Sequence, residues 1–251
     1  MPKLVFLGTS NAIPNESHEN TYMAVVGQKH LLLIDCANNP IVRFKQAGLN
    51  IHDLTDLFLT HFHPDHVAGV PSLLMSIWLM GRTRTLHIYG IEHTLERIRK
   101  IMEFYDWGTW PNFYPVEFHL VPMTERAPVF ECEEFRVFSS PVHHIVPAIG
   151  LRIEFTLSGK AMVYSSDTEA CEEIVRLGNQ ADVLIHEATG ASYGHSSAAQ
   201  AGDIAQKAKA KKLYLIHYPS GDFDPATMVN DVRRKYQGPV YLTQDFMELE
   251  F

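Results

Sequence analysis

The chain predicts an α/β protein in which two sheets pack together with helices outside. Two observations carry that expectation. Strand-like apolar runs outnumber helical ones, and helical spacings nevertheless occur in both halves of the chain. Its 251 residues suffice for one large core, and 46% hydrophobic content is ordinary for a soluble globular protein. Periodicity by itself leaves other α/β layouts open.

Residues 4–7, 21–26 and 31–34 read as strands, with the Gly27-Gln28-Lys29-His30 stretch as a turn between the last two. Residues 41–47 and 68–80 read as helices. Strands follow at 86–89, 117–121, 135–139, 148–155 and 160–164. After Ser197, the small apolar residues Ala201, Ile204, Ala205 and Ala208 recur at helical spacing, and residues 213–216 again read as a strand. Phe104, Tyr105, Trp107, Trp110, Phe113 and Tyr114 form the densest aromatic cluster. Core or subunit interface is the expectation for such a cluster, with a lid stacking on a nucleobase as the alternative.

No stretch approaches the roughly 18 uncharged apolar residues that a membrane span requires. Met1-Pro2-Lys3-Leu4 leads straight into a strand, without a signal-peptide pattern. Cys36, Cys132 and Cys171 are scattered, odd in number and without metal-type spacing, so they read as buried reduced thiols of a cytoplasmic protein. No low-complexity segment or flexible linker interrupts the chain, and residues 1–251 read as one domain.

The chemistry concentrates in His61-Phe62-His63-Pro64-Asp65-His66, directly after the apolar run Leu57-Phe58-Leu59. Residues two apart on an extended backbone point to one side, so His61 and His63 can share an ion. Pro64 ends the strand because it has no N–H for the ladder. The turn beyond it lets Asp65 and His66 face back. Imidazole and carboxylate suit zinc and its first-row neighbours, and so many donors in so short a span suggest more than one ion. A surface histidine cluster is the bland alternative.

This motif resembles the H-x-H-x-D-H signature of the metallo-β-lactamase superfamily, and within it the ribonuclease Z group. The resemblance runs nearly end to end. It includes Phe6-Leu7-Gly8-Thr9-Ser10-Asn11-Ala12-Ile13-Pro14, Leu33-Ile34-Asp35-Cys36, His144-Ile145-Val146-Pro147, Tyr164-Ser165-Ser166-Asp167-Thr168, Ile185-His186-Glu187-Ala188-Thr189, Gly194-His195-Ser196-Ser197 and Ile216-His217. It implies an αββα sandwich and two divalent metal ions per chain, zinc favoured and manganese the alternative. His61, His63 and His144 would hold one ion, Asp65, His66 and His217 the other, and Asp167 would bridge them. Local patterns agree, since Asp167 and His217 each follow a short apolar run that reads as a buried strand.

The resemblance further implies attack on a phosphodiester. Asp65 could bind metal and take the proton of the attacking water. His195 would protonate the leaving oxygen, with Glu187 orienting it. His186 could be a strand-end core histidine, His143 a residue that packs beside His144 or supports a ligand from behind, and Asp35 a buried carboxylate beneath the metal loop. Relatives of this group commonly pair, which implies a homodimer formed through residues 101–114 or the helix after Gly69.

Departures from the group bear on substrate. The long arm that ribonuclease Z uses to grip transfer RNA normally lies between the third histidine and the bridging aspartate, where this chain has few residues. The group's basic Arg-Asn pair appears as Glu19-Asn20 with Glu16 nearby, and Gly221-Asp222-Phe223 replaces the Arg-Tyr after the last histidine. Lys+Arg 21 against Asp+Glu 29 gives a net charge of −8, which disfavours polyanion binding. A small nucleotide phosphodiester such as a cyclic mononucleotide is therefore expected, as for phage-type anti-Pycsar enzymes that lack the arm. Transfer-RNA 3′ processing is the competing expectation. A non-catalytic protein that binds metal and nucleotide is a third.

Overall fold

The structure, a computed structural model, describes residues 1–221 and 224–251. In chain order, the first half holds β1 (Lys3–Gly8), β2 (Tyr22–Val26), β3 (Leu31–Ile34), α1 (Pro40–Gln46), β4 (Leu54–Leu59), α2 (Pro64–Val67), α3 (Val70–Leu79), β5 (Leu86–Gly90), α4 (Glu92–Phe104), β6 (Val116–Leu120) and β7 (Ala127–Glu131). The second half holds β8 (Phe135–Val142), β9 (Ala148–Phe155), β10 (Ala161–Tyr164), α5 (Glu172–Leu177), β11 (Val183–Glu187), α6 (Ala198–Lys207), β12 (Leu213–Ile216), α7 (Pro225–Arg233), β13 (Val240–Leu242) and β14 (Glu248–Glu250).

The strands form two mixed sheets, ordered β14-β1-β2-β3-β4-β5-β6 and β13-β12-β11-β10-β9-β8-β7. Three apolar layers hold them. Leu4, Phe6, Leu32 and Ile34 of the first sheet meet Leu151, Ile153, Met162 and Ile185 of the second, between the sheets. On its other face the first sheet offers Val5, Leu7, Leu31 and Leu33 to Phe44 of α1, Leu73 and Ile77 of α3 and Ile98 of α4. The second sheet likewise packs Val163, Leu184 and Leu215 on Ile174 of α5, Ala201 and Ile204 of α6 and Val232 of α7. This is the αββα sandwich. Strands buried on both faces read as unbroken apolar runs, which is why β1, β3 and β10 stand out in the sequence.

Segment β7 does not read as a strand because it carries Pro128, which an edge position tolerates. The helix expected over 68–80 is α3 alone. Residues 64–67 form the separate turn α2, and Gly69 passes so close to Ala37 that a Cβ there would sit 1.8 Å from its carbonyl oxygen. Among the described residues no helix is long and apolar enough to cross a membrane.

Candidate metal centre

Each candidate ligand leaves the carboxyl end of a strand or a tight loop beside one. Such ends form the crevice where α/β sheets place ligands. His61 and His63 follow β4, and Asp65 and His66 lie in α2. His144 lies between β8 and β9, Asp167 follows β10, and His217 follows β12. Asp35 after β3, Ser166 and His217 all adopt left-handed backbone, with φ of 60°, 56° and 53°. Such conformations cost on the order of 1–3 kcal/mol each and aim the flanking side chains inward.

One donor atom from each of His61, His63, His144 and Asp167 falls within 4.8 Å of the others, and the same holds for Asp65, His66, Asp167 and His217. Asp167 is common to both sets. Its Oδ2 lies 3.1 Å from His217 Nε2 and 3.9 Å from Nε2 of both His61 and His144, and its Oδ1 lies 3.4 Å from His66 Nε2. His63 Nδ1 is 3.0 Å from His144 Nε2, and Asp65 Oδ2 is 3.5 Å from His66 Nε2. Donors around a tetrahedral zinc ion at its usual bond lengths lie roughly 3.3–3.7 Å apart, and these separations scatter on both sides of that range. Buried Nε2 of His61 and His66 and Oδ1 of Asp167 have no hydrogen-bond partner among the described residues, as ion-binding atoms would.

The back nitrogens of His61, His66 and His144 are occupied, whereas Nδ1 of His217 has no hydrogen-bond partner among the described residues. His66 Nδ1 donates to Asp35 Oδ2 at 2.8 Å, and His144 Nδ1 donates to the Gly194 carbonyl at 2.6 Å. Thr60 Oγ1 lies 3.0 Å from His61 Nδ1 and donates to Asp35, which also accepts the Thr60 N–H at 2.8 Å. These bonds turn the other ring nitrogens toward the centre. Asp35 thus lies beneath the metal loop, as expected. Thr60 was not singled out in the sequence, and its only signal is its place immediately before His61. Gly194 has φ +80°, and a Cβ there would come within 3.0 Å of His144 Nδ1, so no larger residue fits without displacing that ring.

Burial, reinforced by neighbouring His66, holds His61 well below the ordinary imidazole pKa, which keeps it neutral for ligation. His63 and His144 are also lowered, chiefly by burial. Burial would raise the Asp167 carboxyl, but the charges of His217 and His66 outweigh it and hold the group well below the usual range. For His66, burial is overcome by Asp167, Asp35 and Asp65, which lift it well above the ordinary value. Ion binding at this ring therefore displaces a proton.

Beside the ligands, Glu187 is fully buried. It accepts from His195 Nδ1 at 3.0 Å, Ser196 N–H at 3.0 Å, Thr168 N–H at 3.1 Å and Thr189 N–H at 2.9 Å. Its hydrogen bond and charge outweigh burial and raise the His195 pKa. The His195 ring sits 4.9 Å from that of His144 and 6.0 Å from that of His217. His186 is a core histidine: it is fully buried, and its Nδ1 is 2.8 Å from the Glu187 carbonyl. His143 is not packed as expected. It lies exposed, 3.6 Å from Glu173, because the loop turns only His144 inward.

The acidic loop carrying Glu16 and Glu19 borders the centre. The N–H of His217 donates to the Thr9 carbonyl, and the Glu19 carbonyl accepts from Thr9 and Ser10. The replacement at Gly221-Asp222-Phe223 lies, apart from Gly221, outside the described residues. The aromatic cluster divides. Tyr114 is buried, Trp107, Trp110 and Phe113 pack partly buried on the first core, and Phe104 and Tyr105 are exposed.

Comparison with known proteins agrees with this geometry. A sequence model of the family described as anti-Pycsar protein Apyc1 matches residues 2–233. A ribonuclease Z of Picrophilus torridus is 25% identical, over 98% of this chain and 94% of that protein. The metallo-beta-lactamase fold protein YhfI from Bacillus subtilis superposes with a TM-score of 0.85 at 21% identity, covering 100% of this chain and 99% of that one. Human tRNase Z, short form, superposes with a TM-score of 0.79 at 25% identity, covering 99% and 98%.

Proposed function

The chain belongs to the family of the anti-Pycsar protein Apyc1, and from that membership and the site we propose a dinuclear phosphodiesterase for small nucleotide esters, cyclic mononucleotides foremost. It is a metal-dependent hydrolase of metallo-β-lactamase fold. One observation carries the finer reading: a full donor set with the Glu187–His195 pair stands where residues between His144 and Asp167 form only the β9–β10 hairpin. No arm emerges there to grip a folded RNA.

His61, His63, His144 and Asp167 would hold one ion, and Asp65, His66, Asp167 and His217 the other. When bound, two such ions lower the pKa of water toward neutrality and neutralise phosphoryl oxygens. Asp65, the most exposed of the acidic donors, takes the proton of the attacking water on a carboxylate oxygen. His195 holds a proton at Nε2 for the departing oxygen, because its Nδ1 is committed to Glu187. Glu187 is a positioning residue, since it is sealed from substrate.

That assignment fixes the sign of a pH effect. A general acid works while protonated, so turnover holds below the His195 pKa and declines above it. Glu187 raises that pKa. Glu187→Gln should therefore shift the alkaline limb of kcat to lower pH, and a pH–rate profile with an unmoved limb would remove Glu187 from this role.

A second reading, transfer-RNA 3′ processing, is favoured by the ribonuclease Z relatives. The alignment with the Picrophilus protein extends over 299 positions, more than this chain's 251 residues, so that relative carries stretches absent here. The test is an assay of zinc- and manganese-loaded protein against bis(p-nitrophenyl) phosphate, a panel of cyclic nucleotides and an unprocessed transfer RNA. Cys36 and Cys171 are free and buried as expected, Cys132 is free but only partly buried, and free thiols favour a cytoplasmic setting.

Assembly as a homodimer is also proposed. Met75, Leu79 and Met80 at α3 and Phe104 and Tyr105 at the end of α4 are exposed apolar side chains, and Met75 and Tyr105 line one apolar hollow with Trp110. Light scattering should find a dimer that Phe104→Glu weakens. Monomer alone at working concentrations would remove this proposal.

A further inference from the structure

A second histidine cluster lies on the opposite flank of the first sheet. His87 of β5 stands beside Glu117 of β6, and His119 follows two residues along β6 on the same face. The neighbouring strand β4 places Asp56 next to His87, five residues before His61. The cluster is therefore on the order of 15 Å from the centre described above, at about 3.3 Å per residue.

Its three donor atoms fit one ion. His87 Nδ1 lies 3.0 Å from His119 Nε2 and 3.4 Å from Glu117 Oε2, and the last two atoms are 3.9 Å apart. A triangle with those sides has a circumradius of about 2.0 Å, so an ion slightly above its plane can sit about 2.1 Å from every corner, a zinc bond length to imidazole and carboxylate, with its open side free. A His87–His119 hydrogen bond with Glu117 as ion-pair partner is the metal-free alternative, and a shared ion would draw the same three atoms together.

The surroundings suit a cation. The Tyr89 ring stacks on His119 at 4.5 Å and on Phe58 at 4.6 Å, so the imidazole is anchored to the inter-sheet core. Both histidines open on a cleft of about 630 Å³ that is also lined by Asp56, 3.4 Å from His30, by Glu131, 3.1 Å from Arg136, and by Arg84. Such a cleft admits a hydrated ion.

We propose that His87, Glu117 and His119 bind a third divalent cation of the zinc class, pinning edge strand β6 to β5. Two histidines and a glutamate leave zinc one tetrahedral position for water or another donor. The site does not depend on the function proposed above.

Equilibrium dialysis of the full chain against micromolar zinc tests it. The His87→Ala/His119→Ala double variant should hold one zinc fewer per chain than the wild type. That difference of one stands whether the main centre holds one ion or two, so the two readings fail separately. Asp167→Ala should keep the peripheral ion. In the wild type, the His119 ring signals in NMR should shift as zinc is added beyond the main centre's capacity, a readout that needs no variant to fold. Equal zinc content in wild type and double variant, or an unmoved His119 ring, would overturn the proposal.

Discussion

Asp167→Ala is expected to strip at least one of the two proposed ions and to abolish turnover while the sandwich survives. Asp167 is essentially buried, and its two oxygens face His61, His66, His144 and His217. Removing them takes a donor from both candidate sites at once and leaves four imidazoles around a void. Losing a general acid typically costs about 10²–10⁴-fold. Losing the shared ligand should cost more, because both the nucleophile and the charge clamp go with it. Asp167→Asn separates charge from volume: it keeps the packing, so a similar loss of metal would trace the effect to the carboxylate. Elemental analysis beside a thermal melt checks both parts. Full activity with a single tightly bound ion in the wild type would overturn the dinuclear reading.

Much of this centre was legible in the chain for a physical reason. His61, His63, Asp65 and His66 are contiguous, and contiguity across a strand end and a one-turn helix brings side chains together without long-range folding. His144, Asp167 and His217 are not contiguous, and in the sequence it is the resemblance that associates them with the motif. Backbone strain was invisible as well. Nothing in Ile34-Asp35, Ser165-Ser166 or Ile216-His217 announces a left-handed residue, since the strain is imposed by the sheets converging on the site.

The fold divides along the same line. Strands buried on both faces, such as β3 and β10, declared themselves by apolar content. The short edge strands β13 and β14 did not, because three residues alternating in exposure carry too little pattern. His143 and His144 could not be told apart by composition. What separates them is the Gly194 carbonyl, which captures one ring fifty residues along the chain.

His195→Ala should lower kcat about 10²–10⁴-fold on an unactivated nucleotide ester while leaving metal content nearly unchanged. Only 17% of the His195 side chain is exposed, and its Nδ1 is tied to Glu187 at 3.0 Å, so the ring is held rigidly with Nε2 left for the substrate. Since it is not among the candidate donors, its removal need not release an ion. The loss should shrink for a p-nitrophenyl phosphodiester, whose leaving group departs well without a proton. A loss of equal size on both substrates would point instead to a disturbed pocket. The same comparison ranks the substrates. A small ester draws most of its binding energy from ions and pocket, whereas a folded RNA needs many distant phosphate contacts. With net charge −8, Glu16 and Glu19 on a loop beside the centre, and only a hairpin between His144 and Asp167, those contacts are scarce. Cyclic nucleotides should therefore be hydrolysed well and precursor transfer RNA poorly. Site-specific trimming of precursor transfer RNA, with no turnover of any cyclic nucleotide, would reverse that order and return the chain to the ribonuclease Z reading.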